Sequence, residues 1–366
     1  MKLSEIINAI EEVAPRSYQE SYDNAGLIIG DADVEVSKAM LCLDVTEVVV
    51  DEAVAENCNL IIAHHPLIFG GLKKISKSTD TGRSIIKAIQ NNIAVYAAHT
   101  NLDNVLENGV SSKIASKLGL INTRILDPKR GLLYKLVTYC PVDSEENILK
   151  KLFEAGAGNI GNYSNCSFSS DGTGRFTPNE NTNPAVGEKN VAHAGPEKRI
   201  EVLVPDYLKE RVLSELRKAH PYEEVAYELY KLDNLHLQVG SGIIGDLEKP
   251  YSKQEFLEHL KKCMHLDVFK ITKWEGETVS KVAVCGGSGS FLLDKAISAG
   301  VDVYISADFK YHEYFAAGNS LMVCDIGHYE SEIFTLEIFY DIITKKFANF
   351  AVVFAKTNTN PITYFK

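Results

Sequence analysis

The sequence predicts an α/β protein made of two related halves, with a smaller α+β domain inserted between them. Short apolar runs alternate with amphipathic helical patterns over residues 1–129 and again over 233–366. This alternation is typical of mostly parallel sheets with helices on both faces. Residues 130–232 instead contain two strand–helix–strand units, which predict a ferredoxin-like α+β module.

In the first half, the spacing of apolar residues predicts strands and helices in alternation. The predicted elements are a helix over 3–14, a strand entered from a polar loop within 22–30, a strand over 39–43, a helix over 45–56, a strand over 60–63, a helix over 81–91 and a strand over 93–98. We expect the strands to form one mostly parallel sheet.

The insert is marked by a change in composition, because residues 156–196 are dense in Gly, Asn, Ser, Thr and Pro. We expect loops there, with short strands near 163–169. The flanking patterns predict a strand over 132–140, a helix over 143–155 capped by Ser144, a strand over 199–204, a helix over 206–220 capped by Asp206 and a strand over 224–230.

The second half resumes the α/β pattern near residue 240. It predicts a helix over 253–263, a strand over 279–285, a tight loop over 286–290, a helix over 291–299, a strand over 301–306, a strand over 321–326 that ends at His328, and a helix over 332–345.

The composition indicates a globular protein outside the membrane. Hydrophobic residues make up 45% and charged residues 24% of the chain, and the longest apolar run is far shorter than the roughly 18 residues of a membrane helix. The first residues predict an amphipathic helix that carries acidic side chains, which differs from a signal peptide. Seven scattered cysteines without a Cys-x-x-Cys pair are typical of reduced thiols. We therefore expect a cytoplasmic protein.

The net charge of −11 has no basic block to offset it. Sequence-independent binding of nucleic acid depends on a surface that neutralises phosphates. The charge therefore disfavours nucleic acid as a partner. It also weakens the hypothesis that the protein is a ring of subunits associated with DNA.

Two adjacent histidines, His64 and His65, follow a short apolar run and precede Pro66. The run predicts a buried strand, and a parallel α/β sheet keeps its chemistry at such strand ends. Adjacent strand residues point to opposite faces, so both imidazoles can serve one site only if the chain turns there. Pro66 would end the strand and supply that turn.

The two outer segments also match each other. Val36-Ser37-Lys38 aligns with Val279-Ser280-Lys281 at an offset of 243 residues, and the same register places His65 against Asp308. A second register, offset by 229 residues, superimposes His99-x-x-x-Asp103 on His328-x-x-x-Glu332. Polar residues thus fall on matching strand ends, which indicates two related halves facing one site.

His328 and Glu332 are four residues apart at the start of a predicted helix, so both project from one face. An ordinary exposed pair would have the same spacing. Together with Asp103, His64 and His65, however, they form a set of three imidazoles and two carboxylates. This set could hold two divalent ions if a carboxylate or hydroxide bridges them. Zinc is the first expectation, with iron, manganese, cobalt or nickel as alternatives, and the reaction class is metal-assisted hydrolysis.

Three further residues, His99, Asp308 and His312, occupy strand ends or the loops after them. Each could orient a ligand imidazole or move a proton, or could be an ordinary hydrogen-bonded loop residue. The Gly286–Ser290 loop could hold an anion through its amides, or could be a packing turn, and it lacks the Lys-Ser/Thr of a P-loop.

These residues resemble the GTP cyclohydrolase I type 2 homologue family, also called Nif-three-like proteins, in its long bacterial form with a PII/CutA-like insert. The resemblance covers both outer segments, and the insert stretch His220-Pro221-Tyr222-Glu223-Glu224 is similar to a CutA stretch. The family commonly has Trp where this chain has Tyr22. The motifs that carry the resemblance are Tyr22-Asp23-Asn24-Ala25-Gly26-Leu27, His64-His65-Pro66, His99-Thr100-Asn101-Leu102-Asp103, Asp308-Phe309-Lys310-Tyr311-His312-Glu313 and Gly327-His328-Tyr329-x-x-Glu332.

The resemblance implies one Nif-three-like metal-binding domain in which a dinuclear metal centre is held by His64, His65, Asp103, His328 and Glu332. It also implies a homohexameric ring. Two functions follow as hypotheses. The first is a metal-dependent hydrolase that acts on a purine nucleotide or related heterocycle, such as GTP. The second is a non-catalytic regulatory or metal-chaperone-like assembly whose insert senses a small ligand or a protein.

Overall fold

The computed structural model describes residues 1–365, which divide into two compact units. The first unit comprises Met1–Pro128 and the chain from Gln238 onward, and the second comprises Lys129–Leu237. The predicted insert, 130–232, lies within the second unit. None of the helices in the described part of the chain combines the length and the apolar character that a membrane crossing demands.

Over residues 1–365, short 3₁₀ turns accompany the helices and strands. The helices are α1 Leu3–Val13, α2 Glu47–Ala55, α3 Asp80–Gln90, α4 Thr100–Asp103, α5 Val110–Lys117, α6 Glu145–Glu154, α7 Lys209–Ala219, α8 Lys253–Cys263, α9 Leu293–Ser298, α10 Tyr314–Ala317, α11 His328–Glu332 and α12 Thr335–Lys346. The strands are β1 Gly26–Ile29, β2 Lys38–Cys42, β3 Leu60–Ala63, β4 Ala94–Ala97, β5 Leu120–Arg130, β6 Leu133–Pro141, β7 Ser167–Phe176, β8 His193–Pro205, β9 Tyr227–Leu232, β10 Leu235–Ser252, β11 Lys270–Ile271, β12 Thr278–Ser288, β13 Val303–Ala307, β14 Met322–Asp325 and β15 Ala351–Phe354.

A five-stranded sheet in the first unit has the order β1-β4-β3-β2-β15. The strands β15, β2, β3 and β4 are parallel, and β1 is antiparallel to β4. The strands β3 and β4 are buried along their whole length, and β2 is buried after its first residue, as is typical of a parallel sheet with helices on both faces. The carboxyl ends of β3 and β4 therefore lie side by side, with Ala63 paired to Ala97.

A six-stranded sheet has the order β11-β14-β13-β12-β10-β5. Its strands β12, β13 and β14 are parallel, and β11 is antiparallel to β14. Both sheets thus contain three parallel strands in the same chain order, with an antiparallel strand beside the last of the three. This match supports the predicted relation between the two halves.

The second unit is a four-stranded antiparallel sheet in the order β7-β8-β6-β9. Its chain order is strand–helix–strand–strand–helix–strand, which is the ferredoxin-like connection. Leu136, Ile200 and Val202 of the sheet pack with Leu152 and Leu216 of the helices in a core of their own.

Several elements differ from the predictions. The strands β5, β10, β11 and β15 were not predicted, and β7 is a full ten-residue strand because it pairs along its length with β8. The predicted cap of α7 is wrong, and that of α6 is correct in position only. Ser144 does occupy the N-cap position of α6, but its side chain forms no cap hydrogen bond. Asp206 instead begins a 3₁₀ turn, and Leu208 occupies the N-cap position of α7.

Two corrections concern the second half. The predicted tight loop over 286–290 is wrong for its first residues, because β12 continues through the glycines to Ser288. The predicted helix over 332–345 is divided, since Glu332 ends the short helix α11 and the long helix α12 begins only at Thr335. His328 and Glu332 are therefore the first and last residues of one helix of five residues.

Candidate metal centre

The strand ends of both sheets bring the predicted ligands together. His64 and His65 follow β3 directly, and Asp103 is the last residue of α4, which follows β4. His328 and Glu332 lie on α11, which follows β14. The rings of His64 and His65 have their centroids 5.0 Å apart, so the turn after β3 directs both imidazoles to one place.

Glu332 lies at the centre of this group, with its side chain only 3% exposed. Its Oε2 atom is 2.9 Å from His65 Nε2 and 3.0 Å from His328 Nε2, while Oε1 is 3.7 Å from His64 Nε2. Asp103 Oδ1 lies 3.6 Å from His64 Nε2. Two sets of three potential ligands result, and Glu332 belongs to both: one contains His65 and His328, the other His64 and Asp103.

Two buried atoms in these sets have no hydrogen-bond partner, His64 Nε2 and Asp103 Oδ1, and Glu332 Oε2 lies beside the imidazole nitrogens of His65 and His328. His64 Nδ1 donates to the backbone oxygen of Ala98 over 2.9 Å, and a carbonyl can only accept. His64 Nδ1 therefore carries a proton, and Nε2 is the nitrogen that faces the two carboxylate oxygens. Acceptors that face one another in a buried site are satisfied by a cation, so the residues present fit a divalent metal.

The imidazoles of His65, His328 and His99 are also held by a hydrogen bond at Nδ1, in their case to a carboxylate. Their Nδ1 atoms lie within hydrogen-bond distance of a carboxylate, with His65 to Asp44 at 2.8 Å, His328 to Asp308 at 2.6 Å and His99 to Asp23 at 2.8 Å. Such contacts orient the ring of a metal-ligating histidine and raise its basicity. All these imidazoles consequently direct Nε2 toward the cluster.

Asp308 and His99 therefore lie where residues beside a metal centre are expected, and His99 is close enough to His64 and His65 to be a ligand itself. Asp308 has a left-handed φ of 59°, a strained conformation for a residue with a side chain. His312 is not brought to the cluster, because its ring packs against Tyr311 and Phe315.

Sequence reasoning did not single out Asp44 and Asp23. Asp44 accepts from His65 at one oxygen and from Thr359 Oγ1 at the other, over 2.7 Å. Asp23 likewise accepts from His99 and from the Thr100 backbone amide, over 2.9 Å. The position of Asp44 just after β2, a third parallel strand of the same sheet, was the available signal.

The pKa values of the cluster follow from burial and these contacts. Burial lowers the pKa of His65, but Asp44 and Glu332 outweigh it and raise the pKa to about 10. Burial also opposes protonation of His328, whose pKa Glu332 and Asp308 raise to about 9. Burial raises the pKa of Asp103, whereas in Glu332 the positive charge around it outweighs burial and holds the pKa well below its usual range.

Comparison with known proteins identifies the family. A family model described as "Duf34/NIF3 (NGG1p interacting factor 3)" matches residues 1–361. The chain belongs to the DUF34/NIF3 family. The predicted family is thereby confirmed.

Curated members of the DUF34/NIF3 family include a protein of Bacillus subtilis (strain 168) called "GTP cyclohydrolase 1 type 2 homolog", 37% identical over 366 residues and 98% of each chain. A Staphylococcus epidermidis protein of the same name is 34% identical over 369 residues and 100% of each chain. Among solved structures, a Bacillus cereus protein related to NIF3 has 37% identity and a TM-score of 0.86, covering 100% of this chain and 99% of the other. Staphylococcus aureus protein SA1388 has 29% identity and a TM-score of 0.77, with the same coverage.

We predict that metal binding releases protons. At pH 7 the metal-free His65 and His328 are protonated, because their pKa values of about 10 and about 9 lie above the solution pH. A metal must displace these protons from Nε2, so about two protons should leave and the affinity should rise between pH 7 and pH 9. Calorimetry in buffers of different ionisation enthalpy measures the release, and equal heats in all buffers would contradict it.

We further predict that Gly287→Ala disrupts the cluster. Gly287 has a φ of 64°, and an added Cβ would collide with Glu332 Oε1. Gly300 is the matched control, because its φ is 65° and an added Cβ there meets nothing within 4 Å. Gly300→Ala should cost only the backbone strain of about 1–2 kcal/mol, measured by denaturant unfolding. Gly287→Ala should also lower the bound metal, and equal metal content in the two variants would refute this role.

Proposed function

We propose that the cluster holds a pair of divalent metal ions and that the protein uses them to hydrolyse a purine nucleotide or a related nitrogen heterocycle. The observation that carries the proposal is the convergence of His64 Nε2, Asp103 Oδ1 and both oxygens of Glu332 in one buried place. The name that the curated relatives carry, homologues of a GTP cyclohydrolase, supports the same reaction class.

In this proposal Glu332 would contribute one carboxylate oxygen to each of two sets of ligands. Oε2 faces the imidazoles of His65 and His328, and Oε1 faces His64, so each oxygen serves one set of ligands. Asp103 completes the set that contains His64. A carboxylate shared by two sets of ligands is the arrangement that a two-metal site needs.

The donor set consists of nitrogen and oxygen atoms. Cys285 lines the pocket into which the candidate ligands Asp103, His328 and Glu332 also face, but burial raises the pKa of its thiol to about 12. Because the thiolate and not the thiol ligates metals, Cys285 is unsuited to the role at neutral pH. Nitrogen and oxygen ligands suit zinc, iron, manganese, cobalt or nickel, and zinc is our first expectation.

Bound divalent ions supply the activation of water and the polarisation of an electrophilic ring carbon. Proton transfer is assigned to a side chain of the protein, His99. His99 donates from Nδ1 to Asp23, and its Nε2 side faces the cluster. Burial opposes ionisation of Asp23, but the hydrogen bonds from His99 and Thr100 lower its pKa to about 2. The bond to Asp23 fixes the ring of His99 with Nδ1 as the donor, so Nε2 is the nitrogen that could accept a proton and return it to the product.

A second candidate function is a non-catalytic metal-binding regulator or metal chaperone. The observation in its favour is a cavity of about 610 Å³ that lies within the insert, lined by residues of β7 and β8. A hydrolase whose chemistry takes place at the metal centre alone would not use this cavity in the insert. Tight exchange of metal without turnover of any heterocycle would favour this alternative.

We also propose that the protein is a homo-oligomer, with the homohexamer as the expected state. Light scattering coupled to gel filtration gives the mass directly. A monomer at micromolar concentration would refute the proposal.

We predict that Asp103→Asn and Glu332→Gln abolish metal binding without unfolding the protein, because each keeps the shape of the side chain and removes its charge. The affinity should fall by more than the 10- to 100-fold that is typical of residues behind the ligands. Elemental analysis and release of formate from GTP, after loading with zinc, iron or manganese in turn, measure the two consequences.

Glu330→Gln is the matched control for this experiment. Glu330 lies on the same helix as Glu332, but its carboxylate accepts from Asn360 instead of facing the cluster. It should bind metal as the wild type does. Wild-type protein that takes up no metal under any loading condition would end the proposal. Metal uptake without formate release would remove GTP as the substrate.

A further inference from the structure

Three aromatic side chains at the pocket over the metal cluster are largely exposed. Tyr22 is 72%, Phe69 56% and Phe291 66% exposed, and all three line the pocket. The Phe69 ring lies edge-on to His99, with centroids 5.7 Å apart, and 6.5 Å from the ring of His65. Exposed aromatic faces around a concave site are suited to stacking on a flat ligand.

The charges of the same pocket disfavour a phosphorylated ligand. Its lining includes four carboxylates, Glu20, Asp44, Asp103 and Glu332. Among the described residues that line it, none is Lys or Arg. Phosphates are bound by Arg, by Lys and by free amides at helix N-termini. Away from the metal cluster, the described residues of this lining would present a polyphosphate with the carboxylates of Glu20 and Asp44 and with no Lys or Arg.

The Gly286 and Gly287 backbone amides beside the pocket are not free to bind a phosphate in place of Lys or Arg. The Gly286 amide donates to Ser111 Oγ over 3.3 Å, and the Gly287 amide donates to Ser331 Oγ over 2.9 Å. The first two amides of the stretch are therefore used within the protein. Of the two roles that the sequence left open for Gly286–Ser290, packing is the one that these bonds support.

The size of the pocket points in the same direction. Its volume is about 370 Å³, near the lower end of the roughly 300–1,000 Å³ of small-molecule sites. One ring system with a small substituent fills such a space.

We propose that this pocket selects a planar nitrogen heterocycle without phosphate groups, of nucleobase or nucleoside size, which stacks on Phe69 and Phe291 with its edge over the metal cluster. The inference rests on the proposed function, because it assumes that the cluster holds metal. It narrows the substrate class, since it excludes the nucleoside triphosphate that the relatives' name refers to.

The test compares guanosine, GMP and GTP, which share base and sugar and differ only in phosphate. Each is titrated calorimetrically into the metal-loaded full chain at physiological salt, with magnesium in excess of nucleotide so that GTP does not strip the bound ions. Guanosine should bind best, and the affinity should fall with each added phosphate, by at least about tenfold from guanosine to GTP.

Phe69→Leu and Phe291→Leu test the stacking directly. Each should weaken guanosine binding by about tenfold and leave the metal content unchanged, and Phe291→Tyr should restore binding. Phe168→Leu is the matched control, because Phe168 is also 66% exposed but belongs to β7 and is not one of the residues that line this pocket. It should bind guanosine as the wild type does.

Metal analysis of each sample separates the outcomes. A chain that takes up no metal would overturn the proposed function and this inference with it. A metal-loaded chain that binds GTP as well as guanosine, that binds none of the three, or that is insensitive to loss of both rings would overturn the inference alone.

Discussion

The buried carboxylate of Glu332 is the constraint on which the first unit depends. A charge withdrawn from water is tolerated only when opposite charges or hydrogen bonds surround it. The surroundings of Glu332 come from imidazoles more than 260 residues apart in the chain, since His65 and His328 meet at it. Both sheets must therefore hold their register, because a shift of one residue in a strand reverses the faces of its side chains.

The residues behind the imidazoles extend this constraint to distant parts of the chain. Asp44 is held by Thr359 as well as by His65, so the segment after β15 is tied to a candidate ligand. Asp308 keeps a left-handed backbone beside His328, a strain that persists only where the surrounding structure compensates for it. Metal binding to such an arrangement adds to folding stability, because the unfolded chain cannot reproduce it.

The candidate ligands could be read from the sequence because they follow buried strands. His64 and His65 come directly after the apolar run 60–63, and Asp103 and Glu332 lie four residues beyond strand-end histidines. Asp23 was missed because it lies in a loop before a strand and carries no such pattern. Asp44 does follow a predicted strand, but only the fold shows which imidazole each of these carboxylates meets. The strands β5, β10 and β15 were missed for a related reason, since their neighbours in the sheet come from distant parts of the chain. In β7, whose Ser, Gly and Thr residues are typical of loops, pairing with β8 outweighs the local preference.

The metal ions themselves decide what charge the pocket presents to a ligand. Without metal, protons on His65 and His328 partly offset the four carboxylates of the lining. Two divalent ions held by Asp103 and Glu332 would displace those protons, and Glu20 and Asp44 would remain as carboxylates of the lining that are not candidate ligands. Metal occupancy would therefore change the charge that the pocket presents to a ligand, and the described residues of the lining include no Lys or Arg that would add to the charge of the ions. Fold alone does not determine a substrate, so similarity to a cyclohydrolase homologue does not show which ligand this pocket accepts. The number of bound ions bears on that question directly, because it sets the charge that a ligand meets.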